Sequence, residues 1–90
     1  MLTIWKYEIS PDKVLSIPKG YVPLAVQTQR KAATYLWALV NPNNASKPVR
    51  VKIYGTGYDL PPDTCIENYV GTLSRGDGAF IYHVFLKDEG

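Results

Sequence analysis

The residues able to carry chemistry in this sequence are few and scattered. Cys65 and His83 each occur once. A structural zinc site wants four nitrogen or sulfur ligands, and this pair falls well short, so no metal or other cofactor is expected. Asp59 and Asp63 share one segment, while Glu67 and Asp77 stand apart. General acid–base work needs two groups converging on one cleft, and no spacing here imposes that. Gly55-Thr56-Gly57 has the look of a phosphate-cradling loop. Such loops act because a helix N-terminus follows, whereas Tyr58-Asp59-Leu60-Pro61-Pro62 cannot start a long helix. Arg75-Gly76-Asp77 matches an adhesion tripeptide, but a hairpin tip wants Gly and Asp in any case. Asn44-Ala45-Ser46 is a glycosylation acceptor only in a secretory compartment. An enzyme is not expected.

Aromatic side chains are the more informative group. The chain holds seven Tyr, two Trp and two Phe in 90 residues. Tyr54 and Tyr58 bracket the glycines of a segment, 55–65, that is long for a small domain and joins Gly flexibility to the stiffness of Pro61-Pro62. Arg50 and Lys52 add positive charge on the outward face of the strand before it. Asp59 lies in the loop, and His83 interrupts an otherwise apolar final strand. These six residues, Arg50, Lys52, Tyr54, Tyr58, Asp59 and His83, are the candidate binding surface. Stacking plus charge would suit an acidic patch on a partner protein or a small anionic ligand such as a nucleotide. The competing reading is that the tyrosines cap the core with their hydroxyls in water.

Positioning these residues falls to strands. Period-two alternation bounded by turn signals predicts seven, at 2–9, 14–17, 21–29, 33–41, 49–55, 68–74 and 79–87. Ser10-Pro11-Asp12-Lys13 and Arg75-Gly76-Asp77-Gly78 read as tight turns. Residues 29–39 include helix formers, but their Thr, Tyr, Trp and Val content favours a strand. Val22, Leu24, Val26 and Thr28 share one predicted face, and Pro23 argues for an edge. The expected fold is all-β: one antiparallel β-sandwich or small barrel occupying residues 1–90. Its expected core comprises Trp5, Tyr7, Leu24, Val26, Leu36, Ala38, Val51, Ile53, Phe80 and Tyr82. The second face of the last strand, with Ile81, His83 and Phe85, needs cover. A homodimer built on that face or the edge beside it would supply it.

Composition narrows the setting. A hydrophobic fraction of 46% excludes disorder, and a net charge of +2 with no basic run longer than Arg30-Lys31 gives no nucleic-acid footprint. One cysteine allows no intrachain disulfide. The opening Leu2-Thr3-Ile4-Trp5-Lys6-Tyr7 lacks the basic and long apolar regions of a signal peptide, and no segment approaches the ~18 apolar residues of a membrane span. The cytoplasm is the expected compartment.

Several blocks resemble a family of short uncharacterised proteins from phages, prophages and bacteria. They are Thr3-Ile4-Trp5-Lys6-Tyr7, Ile17-Pro18-Lys19-Gly20, Leu24-Ala25-Val26-Gln27, Leu36-Trp37-Ala38-Leu39-Val40-Asn41-Pro42, Ile53-Tyr54-Gly55-Thr56-Gly57, Tyr69-Val70-Gly71-Thr72-Leu73 and Gly78-Ala79-Phe80-Ile81-Tyr82-His83-Val84-Phe85. They run in order over nearly the whole chain. Tyr58 departs from the pattern, where His is more usual. The resemblance implies a genomic setting, and the host bacterial cytoplasm as the place of action, but no activity or catalytic residue. A small phage-encoded domain of this kind commonly acts by binding. The expectation is therefore a non-enzymatic binding protein that blocks a host protein, with a component of a bacterial defence system as the target. A sponge for a nucleotide signal and a minor virion structural or assembly protein are the alternatives.

Overall fold

The computed structural model describes residues 1–29, 33–76 and 78–90. Asp77, in the expected hairpin turn, and the basic pair Arg30-Lys31 lie outside the described residues. Seven strands follow in chain order: β1 (Thr3–Ile9), β2 (Val14–Pro18), β3 (Val22–Thr28), β4 (Thr34–Val40), β5 (Ser46–Gly55), β6 (Tyr69–Arg75) and β7 (Phe80–Asp88). They form two antiparallel sheets, one ordered β1-β4-β3 and the other β2-β5-β7-β6. The all-β expectation holds, including strand rather than helix over Thr34–Val40.

The chain leaves the first sheet for the second at Ser10–Lys13. Lys13 N–H donates to the Ser10 carbonyl at 3.2 Å, and Asp12 takes a left-handed φ of 64°. Pro at the second turn position and Asp at the third suit that geometry, because Asp tolerates the left-handed region better than most residues. The turn is then docked onto β5. Asp12 N–H donates to the Val51 carbonyl and Val51 N–H to the Lys13 carbonyl, both at 2.8 Å.

One core lies between the inner faces of the sheets. It comprises Ile9, Leu15, Ile17, Leu36, Ala38, Val40, Val49, Val51, Leu73, Val84 and Leu86. Tyr7, Val26, Ile53 and Tyr82 pack against it while only partly buried. Arg75 Nη2 bridges the sheets by donating to the Thr34 hydroxyl at 2.8 Å.

Three expected core residues are corrected: Trp5 is 41% exposed, Leu24 48% and Phe80 59%. Each has a separate cause. Trp5 pairs with the buried Ala38 and so faces the core side, but it sits on β1, an edge strand that leaves one flank open. Leu24 falls at a β-bulge: Pro23 pairs with Ala38 and Ala25 with Trp37, leaving Leu24 as the extra residue. A bulge reverses the alternation beyond it, so Val22 pairs with Leu39 on the outer face and Val26 with Leu36 on the inner. Phe80 opens β7 opposite Arg75, the last residue of β6. A second bulge at Val70 separates Tyr69, opposite Phe85, from Gly71, opposite Val84. The bulged strands β3 and β6 are edges of different sheets and pack on one another.

Candidate functional site

The candidate residues come together on the outer face of the four-stranded sheet. Val51 and Ile53 point inward from β5, which sends Lys52 and Tyr54 outward. Their partners on β7 are Phe85 and His83. Tyr69 of β6 stands opposite Phe85 on its other side. Phe85 is therefore gripped by two rings set edge-on, Tyr54 at 5.8 Å and Tyr69 at 5.5 Å between centroids. Such tilted pairs are the favoured aromatic geometry. On the second face of β7 this chain's own tyrosines cover Phe85, which is buried, while Ile81 stays 36% exposed.

Above the rings, the connection from β5 to β6 is built from short turns. Tyr58 N–H donates to the Gly55 carbonyl at 3.2 Å and Gly57 takes a φ of +88°, which glycine accepts without strain. The Tyr58 ring folds back over Gly55, so that a Cβ there would stand 3.6 Å from it. Thr64 N–H donates to the Pro61 carbonyl, and a one-turn 3₁₀ helix, Ile66–Asn68, leads into β6. Two adjoining hollows result, sharing Tyr54 and Phe85. One, of about 280 Å³, is lined by Lys52, Asp63, Cys65 and Lys87. The other, of about 300 Å³, is lined by Thr56, Tyr58, Leu60, Ile66, Tyr69 and His83.

His83 ties the loop to the sheet. Its Nε2 lies 2.7 Å from the Thr56 hydroxyl, and its Nδ1 lies 3.2 Å from that of Thr72. Thr72 in turn meets the Tyr69 hydroxyl. Thr56 also reaches the Ile81 carbonyl through its hydroxyl at 3.3 Å and its backbone N–H at 3.1 Å. Each hydroxyl can donate once and accept, so the chain Tyr69–Thr72–His83–Thr56 is satisfied with either imidazole tautomer. A hydroxyl beside an imidazole resembles a nucleophile and its base. Here the far ring nitrogen faces a threonine, where such a pair needs an orienting group that favours the imidazolium.

The positive charges are engaged within the chain. Lys52 Nζ is 2.6 Å from Asp12 Oδ1. Arg50 Nε is 2.8 Å from Glu89 Oε1, and its Nη1 donates to the Asp12 carbonyl at 2.9 Å. Lys87 Nζ approaches Asp63 Oδ2 at 3.4 Å. The hydrogen bond from Lys52 holds the Asp12 carboxyl below its usual range, and the same bond raises the lysine. Arg50 and Lys52 thus fasten the Ser10–Lys13 turn to β5.

Of the six candidates, Lys52, Tyr54, Tyr58 and His83 line the hollows. Arg50 shares the face but is held at the Asp12 and Glu89 end, and Asp59 is an exposed loop residue lining neither hollow. Sequence reading passed over Leu60, Ile66 and Tyr69, which complete the apolar rim. Tyr69 was out of its reach, since plain alternation along β6 groups it with Gly71 and the buried Leu73, and only the bulge at Val70 turns it to the face of Phe85. Among the described residues no group of three or more His, Cys, Asp or Glu could hold a metal ion. No helix there is long and apolar enough to cross a membrane.

No curated protein and no solved structure matches the chain. A family model does match, over residues 1–90, and by it the chain belongs to the family described as a domain of unknown function, DUF7352.

Proposed function

We propose that the protein is a non-enzymatic binding protein whose outer-face groove takes an apolar segment of a partner protein. The observation that carries this is a contrast on one surface. Tyr58 and Ile66 are 75% and 76% exposed at the rim of a groove floored by the buried Phe85. The cations beside them, Arg50, Lys52 and Lys87, already have acidic partners. An anionic ligand would have to displace those carboxylates, whereas an apolar segment needs only the uncovered side chains. Exposed aromatic and aliphatic groups on a shaped loop are the usual anchors of protein contacts, each worth about 2 kcal/mol when well packed. In the phage setting that the sequence blocks imply, the partner is a host protein, and a bacterial defence component is the reading we favour.

The test is capture from host cells with a photo-crosslinker placed at Asp59, beside the rim. The protein should capture a defined host protein, and Tyr58→Ala with Ile66→Ala should lose both that capture and the biological effect. Both side chains are exposed, so the unfolding midpoint should stay close to the parent's. A double variant that keeps full capture and full effect rejects the reading. Tight binding of a nucleotide to the parent, with no protein captured, would favour the sponge.

A further inference from the structure

The two sheets expose four edge strands, and three carry features that discourage further pairing. β3 contains Pro23 and a bulge at Leu24, and β6 contains a bulge at Val70. These two edges also pack against each other. β2 has only five residues and closes on Pro18. β1 has none of these devices: seven residues, no Pro or Gly, an unbroken register with β4, and no described strand on its other side. Long regular edges are templates for another strand, which is why proteins blunt them.

Which groups face outward can be read from Glu8. Its carbonyl accepts from Lys13 Nζ at 3.0 Å. N–H and C=O of one residue point to the same side of an antiparallel strand, and that side alternates along it. The backbone groups of Ile4, Lys6 and Glu8 therefore face the free edge. Their side chains share the outer face of the sheet. Lys6 lies over the Tyr35 ring at 4.0 Å and donates to Gln29 Oε1 at 3.3 Å, but neither Lys6 nor Glu8 belongs to an ion pair among the described residues.

We infer that β1 pairs with β1 of a second copy, antiparallel about a two-fold axis at Tyr7, joining two three-stranded sheets into one of six strands. The charges select this register. Centred on Tyr7, Lys6 stands opposite Glu8 of the partner subunit, and the relation repeats on the other side of the axis. Centred on Lys6, two lysines would face each other. Opposite charges across a strand pair stabilise it and like charges destabilise it. Lys6 and Glu8 would exchange N–H···O=C bonds across the axis, with Lys13 giving up its place at the Glu8 carbonyl. Trp5, exposed although it faces the core side, would gain cover beside the partner subunit's Ile9.

Sedimentation velocity on the full chain, from micromolar to hundreds of micromolar, tests the inference. The parent should show a monomer–dimer equilibrium, with slow hydrogen exchange at the Lys6 and Glu8 amides in the dimer. Lys6→Glu should weaken the dimer at least tenfold, and Lys6→Glu combined with Glu8→Lys should restore it. The combined variant also controls for the lost cation–π contact, since it lacks that contact too. The inference is overturned by a parent that stays monomeric at the highest concentration. A dimer indifferent to Lys6→Glu overturns it equally, as do β1 amides that slow only when a different protein is added.

Discussion

Val26 Cγ2 lies 2.9 Å from where a Cβ on Gly71 would stand. Val26 projects from an edge strand of one sheet and Gly71 belongs to an edge strand of the other, so this contact sets how closely β3 and β6 approach. Gly71 is required here for its missing side chain.

Gly71→Ala should therefore destabilise the fold by about 1–3 kcal/mol, the range for overpacking. Adding Val26→Ala removes the clashing methyl groups, so the double variant should be more stable than the sum of the two single losses predicts. Denaturant unfolding of the four proteins in a double-mutant cycle measures this. Strict additivity would show that the sheets do not meet through this pair.

The buried and exposed apolar residues should differ sharply on truncation. Leu36 is fully buried at the centre of β4, and Leu36→Ala should cost about 2–5 kcal/mol. Phe80→Ala removes a larger but mostly exposed ring and should cost less than Leu36→Ala despite the greater volume lost. Urea midpoints compare them directly, and a larger loss for Phe80→Ala would mean that the inner end of β7 is covered after all.

His83 should matter to the loop more than to the core. Replacing it with Phe keeps an aromatic ring and removes both hydrogen bonds, leaving the Thr56 and Thr72 hydroxyls to find other partners. Amide exchange at Thr56 and Tyr58 should then quicken, while the amides of Val51 and Val84 stay as slow as in the parent. Uniform acceleration across the sheet would instead assign His83 a role in global stability.

Stability should fall at both ends of the pH scale for separate reasons. Asp12 and Asp88 are held below the usual aspartate range, chiefly by hydrogen bonds from Lys52 and Lys47. A carboxyl depressed in the folded chain contributes fully above its unfolded value and loses that contribution as pH falls through the folded one. Lys47 and Lys52 are raised by the same bonds, and Tyr7 and Tyr21 by burial. These groups contribute fully below their unfolded values and lose it as pH climbs through the raised ones. Thermal midpoints should hold a plateau, fall below about pH 4 and fall again above about pH 10. Asp12→Asn with Asp88→Asn should flatten the acid limb, and so should added salt, since all four paired groups are near solvent. An acid limb unchanged in that double variant would place its origin elsewhere.

Seven strands and most of their boundaries were legible because turns and alternation are local properties. Faces were legible wherever alternation is unbroken, as along β4 and β5. They failed on β3 because a bulge costs one residue and leaves no mark in hydropathy: Val22, Leu24 and Val26 alternate on paper, and only the pairing of Pro23 and Ala25 reveals the slip. Edge position was equally hidden, which is why Trp5 looked like core. At the site, Tyr54, Tyr58 and His83 were legible from the loop they border. The fate of the charges was not, because the partners of Lys47, Arg50 and Lys52 lie 38–41 residues away in the chain. That pairing shows Arg50 and Lys52 fastening a turn.

The division of neighbouring β1 and β2 between different sheets bears on how the chain folds during synthesis. β1, β3 and β4 all precede Asn41, so the three-stranded sheet can assemble while the ribosome is still making the rest. β2 has no strand to join until β5 emerges, and β5 remains an edge until β7 arrives beside it. Until β5 emerges and joins β2, Leu36, Ala38 and Val40 present an apolar face to water. Pairings this distant in sequence close slowly, on the millisecond-to-second scale seen for β topologies. A nascent chain stalled before Phe80 would lack only Val84 and Leu86 of that core, yet β5 and β6 would be without the strand that joins them.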